Sequence, residues 1–408
     1  MNQRSSVFIS SLLDEERMPF ATSELVFGRS HYSWKLIAKL YVDGLNRAGI
    51  QTKLIARPEI YQAQVARTAL SVTPQDLHIA VKQVEHLRPF YGIPNLFICG
   101  WEFPEFFEGS MELSPFTQQL AVLRRADRVL CWTDFTRDNL LAAGVSQALT
   151  LPPPILPQPY GDAAKVDAMQ TLSLDSKRTG KQLEIVPFGE RMSGQTDPVL
   201  LAIINPFDKR KMINTLLHGA LKALDQGYKF VLMIKLIIDG KSTHLGNINE
   251  ILDQHFALRE ISEQIIFCTG ELNDSDMVVL RARSDFHISA ASAEGLNLPL
   301  VEAALQDIPI ITTQNTAMAS YMGPDDAVWI TCDAAKVSDD INAFASYADF
   351  THFPPTSDSI ATAIGKALGM SLKARTTLAK KGRKAVEARF GQDRFEADFR
   401  MLTQELLA

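Results

Sequence analysis

Apolar residues recur along this chain in two rhythms: short unbroken runs, and longer stretches spaced by three and four residues. In the first third, the runs at 6–13 (SVFISSLL), 51–56, 77–81, 95–100 and 128–132 read as buried strands. Residues 33–47 have helical spacing: Trp34, Ile37, Ala38, Tyr41 and Leu45 share one face, and Gly49 ends the helix in the C-cap manner. Residues 127–145 read as a strand, then a helix N-capped by Thr133 or Asp134 and closed at Gly144. The segment LPPPILPQP (151–159) is extended, because proline and the residue before it avoid helix. Alternating strands and helices predict a parallel, doubly wound α/β sheet, in which ligands bind beyond the carboxyl ends of the strands. The loops to watch are 14–32, the one after Cys99 and the one after Trp132.

Residues 160–196 are polar and weakly patterned and read as an interdomain region plus an insertion. A second series then begins: a strand at 199–205, a helix at 213–224, the strand KFVLMIKLII, a helix near 248–257 and the strand QIIFCTG. The helix DSDMVVLRARS follows, then the strand DFHISAAS (285–292), a turn, a helix at 301–306 and the strand IPIITT. After a turn-rich loop (315–326), residues 361–368, 371–390 and 392–407 read as helices. The pattern gives two domains, 1–195 (with the insertion at about 155–195) and 196–390, and a C-terminal helix within 391–408.

Composition narrows the class. With 408 residues, 46% hydrophobic and 22% charged, this is ordinary globular material, and a net charge of −6 argues against a general nucleic-acid binder. Cys99, Cys131, Cys268 and Cys332 are scattered with no C-x-x-C pair, so neither a disulfide framework nor a zinc site is expected. The N-terminal apolar stretch is too short and interrupted for a signal peptide, and no run approaches the ~20 residues of a membrane span. A cytoplasmic protein is expected. The Lys- and Arg-rich stretch 366–394 has two readings, a solvated helix face or a peripheral contact with anionic lipid or acidic glycan.

The candidate chemistry concentrates in 292–313, SAEGLNLPLVEAALQDIPIITT. Strand, turn, helix and strand follow one another, with Pro299 where a first helical turn tolerates it. Such a helix end attracts phosphate through its open N–H groups. Glu294 just before the turn and Glu302 about one turn inside the helix are placed to accept hydrogen bonds from sugar hydroxyls. The combination suggests a nucleotide-sugar site. The plainer reading makes both glutamates ordinary helix-start acids, favourable by ~0.3–1 kcal/mol.

The stretch EGLNLPLVEAALQDIPIIT resembles the E-x7-E region of retaining GT-B glycosyltransferases of family 4, commonly EGFGLPxxEAxxxGxPVI. The resemblance covers about 127–145 and 199–390. It implies two Rossmann-like domains facing across a cleft, with the last helix crossing back to the first. It also implies transfer of a hexose from a nucleoside-diphosphate sugar to a glycan or glycolipid, without a metal or other cofactor. By that resemblance Glu294 contacts the donor sugar and Glu302 the ribose. Lys211 in NPFDKRKM matches the lysine that neutralises the diphosphate, while Asn205-Pro206 replaces the family Gly-Arg pair. Lys209 or Arg210 then supplies the second charge, or both belong to a solvated basic turn.

The resemblance further implies that Gly295, Leu296, Asn297 and Leu298 form a phosphate-binding helix end and that Leu272 flanks the base, whose identity backbone recognition leaves unreadable. Glu102, in FICGWEFPEFFEG, resembles part of a W-E segment of bacterial polysaccharide glycosyltransferases; it faces the acceptor or the reacting donor face, or caps a neighbouring loop. The family's histidine near this point is missing. Lys235 either approaches the phosphates or marks a strand end. Catalytic candidates are therefore Glu294, Lys211 and Glu102, and donor-binding candidates are Asn205, Arg210, Lys211, Leu272, residues 294–298 and Glu302. Two competing expectations remain: another nucleotide-sugar enzyme on the same fold, and a catalytically idle GT-B-like subunit of a glycosylation complex.

Overall fold

The two series of apolar runs build two separate parallel sheets. The structure, a computed structural model, describes residues 6–11, 31–61, 68–106, 119–175, 182–206, 208–237, 263–270, 272–337 and 349–407. Residues 14–30 of the expected loop, 107–109 of the aromatic loop, the helix expected near 248–257 and Glu271 lie outside the described residues. The chain divides into two units, Met1–Ile155 with Ala388–Ala408, and Leu156–Glu387.

In the first unit the strands are β1 (Ser6–Ser11), β2 (Gln51–Leu54), β3 (Leu77–Val81), β4 (Asn95–Cys99), β5 (Arg128–Cys131) and β6 (Ala148–Thr150). They pair in the order β2-β1-β3-β4-β5-β6, all parallel. Strands β1, β3 and β4 are buried throughout, as expected for a sheet covered on both faces. Helix α1 (His31–Arg47) buries Trp34, Ile37, Ala38, Tyr41 and Leu45, the face that the spacing predicts, and Gly49 ends it at φ +75°. Helices α2 (Gln119–Leu123) and α3 (Asp134–Ala142) precede β5 and β6, and Thr133 caps α3 by accepting from the Thr136 amide.

The second unit opens with helix α4 (Ala163–Asp167), strands β7 (Gln170–Asp175) and β8 (Gln182–Pro187) and helix α5 (Phe188–Arg191). Strands β9 (Val199–Ile204), β10 (Val231–Leu236), β11 (Ile265–Thr269), β12 (Phe286–Ser289), β13 (Ile310–Thr313) and β14 (Val328–Ile330) follow. The order is β14-β13-β12-β9-β10-β11-β7-β8, parallel except that β7 runs antiparallel to β11 and to β8. Strands β7 and β8, within the span 156–195 expected with the first domain, thus extend the second sheet instead. Their pattern is weak because they form an edge hairpin: Glu184 is exposed and Ile185 keeps 42% of its surface accessible.

The helices described in this unit after β9 are α6 (Ile213–Asp225), α7 (Asp274–Ala282), α8 (Leu298–Leu305), α9 (Thr316–Tyr321), α10 (Ser357–Leu368) and α11 (Leu372–Phe390), α11 running across its end. Helix α10 starts four residues before the expected 361, at a capping box in which Thr356 and Ser359 bond each other's backbone amides. Where α6 meets α10, a Cβ on Gly219 would fall 2.5 Å from Ile360, so the helices approach at van der Waals contact.

Helix α12 (Gln392–Leu407) belongs to the first unit. It buries Phe395, Phe399 and Leu402, sets Phe395 against Tyr41, and donates from Gln392 to the Gly44 carbonyl at 2.9 Å. Ile155 N–H also bonds the Phe390 carbonyl at 2.8 Å. On α11, Lys381 pairs with Asp325, and Arg383 with Asp307 and Glu387, while Lys373, Lys380 and Lys384 are exposed. Among the described residues no helix is long and apolar enough to cross a membrane.

Candidate functional site

The loop joining β12 to α8 is buried from Ala290 to Asn297, which is unusual for a connection and requires its polar groups to be paired. Ser292 N–H bonds the Arg210 carbonyl at 2.8 Å, and the Glu294 amide bonds Thr316 Oγ1 at 3.0 Å. Asn315 Nδ2 and Thr313 Oγ1 both donate to the Ala291 carbonyl, at 3.0 and 2.6 Å. Tyr321 donates its hydroxyl to the Leu296 carbonyl at 2.8 Å. The loop is thereby fixed from the turn after β9 and from the turn after β13.

Glu294 is 5% exposed, and its carboxylate pairs with the ammonium of Lys211. Lys211 ends the short turn Lys209–Lys211, and Met212 (φ +51°) starts α6 in the left-handed region. Asn297 (φ +62°) starts α8 the same way and donates Nδ2 to Ser289 Oγ at 3.0 Å. Two non-glycine residues in that region, each costing about 1–3 kcal/mol, therefore flank the Lys211–Glu294 pair. The amides of Gly295, Leu296, Asn297 and Leu298 have no acceptor among the described residues. A buried carboxylate, a cation and open helix-end amides thus occupy one place at the carboxyl ends of β9 and β12.

Arg210 does not stand open beside Lys211. Its guanidinium forks onto Asp208, Nε to Oδ1 at 3.1 Å and Nη2 to Oδ2 at 2.7 Å, and Nη1 donates to the Ala293 carbonyl at 3.2 Å. Burial pushes Asp208 up, but the charges of Arg210 and Lys211 and the hydrogen bonds from Arg210 outweigh it and hold the carboxyl below its usual range. Asn205 begins this turn by accepting from the Asp208 amide at 3.1 Å. Arg210 works as a clamp between turn and loop.

Glu302 has a partner the sequence did not reveal. Arg281, in the last turn of α7, pairs with its carboxylate. His287 of β12 is buried, and burial pushes its imidazole down to about 3, aided by the charges of Arg281 and then Lys211. Lys235 is 5% exposed at the end of β10 and donates to the carbonyls of Leu236 and Gly270, both at 2.8 Å. Leu272 lines a cavity of about 380 Å³ with Lys165, Ala168, Met169, Gln170, Thr269 and Gly270. Lys235 therefore secures the backbone at the rim of that cavity.

Glu102 lies in the first unit, after β4, half-buried in an aromatic setting. Trp101 stacks on Phe106, meets Phe103 edge-on, and donates Nε1 to the Glu105 carbonyl at 2.6 Å. Burial, then the charge of Glu102, raises the Cys99 thiol well above its ordinary range. The structure thus brings Asn205, Arg210, Lys211 and residues 294–297 together, sets Glu302 and Leu272 on neighbouring elements of the same unit, and keeps Glu102 in the other.

No family model matches the chain, and no curated protein matches it by sequence. Solved structures do. Sucrose-phosphate synthase from Thermosynechococcus elongatus superposes with a TM-score of 0.61 at 14% identity, covering 99% of each chain. Trehalose-6-phosphate synthase OtsA gives 0.59 at 12% identity, covering 98% of this chain and 99% of that one. The pneumococcal O-GlcNAc transferase GtfA, in complex with UDP and GlcNAc, gives 0.50 at 12% identity over 83% of this chain. The chain spans 54–58% of the length of the TarM and GtfA chains it matches. At these identities the likeness establishes the fold, an α/β chain of the GT-B type with two Rossmann-like units.

Proposed function

We propose that this protein is a retaining GT-B glycosyltransferase of family 4, moving a hexose from a nucleoside-diphosphate sugar to a glycan or glycolipid acceptor. One observation carries the reading: the buried Glu294 and its partner Lys211 lie beside the open amides at the start of α8. In this reading the diphosphate takes those amides and Lys211. An ammonium has three donors, so Lys211 can keep Glu294 and still reach phosphate oxygens. Glu294 accepts from the sugar hydroxyls and Glu302 from the ribose, while Leu272 and the Gly270 backbone flank the base. Breaking the sugar–phosphate bond builds negative charge on the leaving diphosphate, and preorganised positive groups stabilise it. That is the part a divalent ion plays elsewhere, so the reaction is read as metal-independent. The leaving phosphate accepts the acceptor's proton on the same face of the sugar. The first unit, with Glu102, is the acceptor side, and the reading goes with a cytoplasmic location.

The test is thermal stabilisation by UDP, GDP, ADP and their common sugars, with chelator present. One nucleotide family should raise stability by ~2.7 kcal/mol at a hundredfold excess over its dissociation constant. If no nucleotide shifts the melt, the donor site is misassigned and the idle-subunit reading takes its place.

A further inference from the structure

Arg281 is 4% exposed. A guanidinium cannot shed its proton, so a buried one needs an ionised partner. Glu302 Oε2 is that partner, and Gln306 Oε1 stands 3.4 Å from Nη1. Gln306 is itself tied down, donating Nε2 to the Val278 carbonyl at 3.0 Å. The Arg281 Nε is buried and has no acceptor among the described residues, so the guanidinium is committed to the α8 side chains. One oxygen of Glu302 is thus held by a network built from α7 and α8. The other, Oε1, has no hydrogen-bond partner among the described residues, although 18% of the side chain remains accessible. A carboxylate with one oxygen fixed by a buried cation and the other open is a preorganised hydroxyl acceptor.

We propose that Arg281 is a positioning residue for nucleotide binding: it holds Glu302 so that Oε1 accepts from the vicinal hydroxyls of a ribose. This rests on the donor reading above. It adds that the ribose contact is made by a pair drawn from two helices. A clamp that merely joins α7 to α8 would stabilise the unit without distinguishing a ribose from a sugar lacking those hydroxyls. Arg281 acting through Glu302 must distinguish them.

The experiment measures the affinities of UDP, GDP and ADP, and of their 2′,3′-dideoxy forms, for the full chain and for Arg281→Gln, Arg281→Lys and Glu302→Gln, with folding followed by circular dichroism. The wild-type chain should prefer the best-bound ribonucleotide over its dideoxy form by roughly tenfold or more. Glu302→Gln and Arg281→Gln should each lose most of that preference while binding the dideoxy form as before, and Arg281→Lys should fall between. Full wild-type preference in Arg281→Gln, or in Arg281→Lys if the glutamine variant does not fold, overturns the proposal. A wild-type chain that binds both forms equally overturns it and leaves the donor reading standing. A chain that binds no nucleotide overturns both.

Discussion

Two sheets of the same kind end in different chemistry. In the first unit, strand ends lead into aromatic packing: Trp101 with Phe103 and Phe106, and Trp34 against Trp132 at 5.0 Å. The backbone there is so close to the rings that a Cβ on Gly100 would sit 2.0–2.4 Å from Trp132 atoms. In the second unit, strand ends lead into buried charge, with Lys211 on Glu294, Arg281 on Glu302 and Lys235 on two carbonyls. A doubly wound sheet supplies only the position, beyond the carboxyl ends of its strands. The residues placed there decide what is bound, and desolvated charge costs enough that it is kept where each group is matched.

The contrast can be broken most directly at Glu294. Glu294→Gln should lower turnover at least ~100-fold, the scale of removing one preorganised polar group, while leaving nucleoside diphosphate bound. Glu102→Gln, in the aromatic unit, should act on the acceptor KM and leave nucleotide affinity unchanged. Steady-state kinetics beside calorimetric titration separate the two. A loss of nucleotide affinity in Glu102→Gln, or an acceptor KM left unchanged by it, would show that the units do not divide the work as proposed.

Acid sharpens the comparison. His287 is held near 3, and His78 is lowered to about 4 by burial, with the Asn95 hydrogen bond opposing and Lys82 assisting. Both histidines are neutral when folded but protonate near 6.5 when unfolded, so the unfolded chain binds more protons below that pH. Stability is therefore complete above 6.5 and falls as pH drops, by about 3 kcal/mol per histidine at pH 4. Denaturant unfolding from pH 7 to 4 should show the slope, and His287→Gln or His78→Gln should each remove its share. A slope unchanged by either variant would mean that the histidine protonates in the folded state.

The smallest effect is steric. Gly100→Ala should destabilise the first unit by ~1–3 kcal/mol through overpacking against Trp132. Gly194→Ala, in open space at φ +74°, should cost only the backbone strain of its left-handed conformation. Thermal melts of the two variants compare a crowded strand end with an open turn.

How far the sequence carried this picture depends on whether the pattern is local. The βαβ segment around Glu294 was legible because runs, turn and helix are contiguous, and the face of α1 because its period is regular. Strands β7 and β8 were missed since an exposed edge hairpin carries little apolar signal. Lys211 and Glu294 could be assigned to one site only through the family resemblance, as 83 positions separate them. The Asp208–Arg210 fork has a local signal, an aspartate two residues before an arginine at a capped turn. Arg281 had none: it follows the buried apolar residues Val278, Val279 and Leu280, and only the packing of α7 beside α8 brings it to Glu302.

The tail of the chain has a consequence for synthesis. The strands of the first unit emerge from the ribosome before any of the second, and domains commonly fold in that order. Here, however, Tyr41, Gly44 and Arg128 meet partners on α12, and the Ile155 amide meets Phe390, all after the whole of the second unit has been translated. The unit that starts first is therefore finished last.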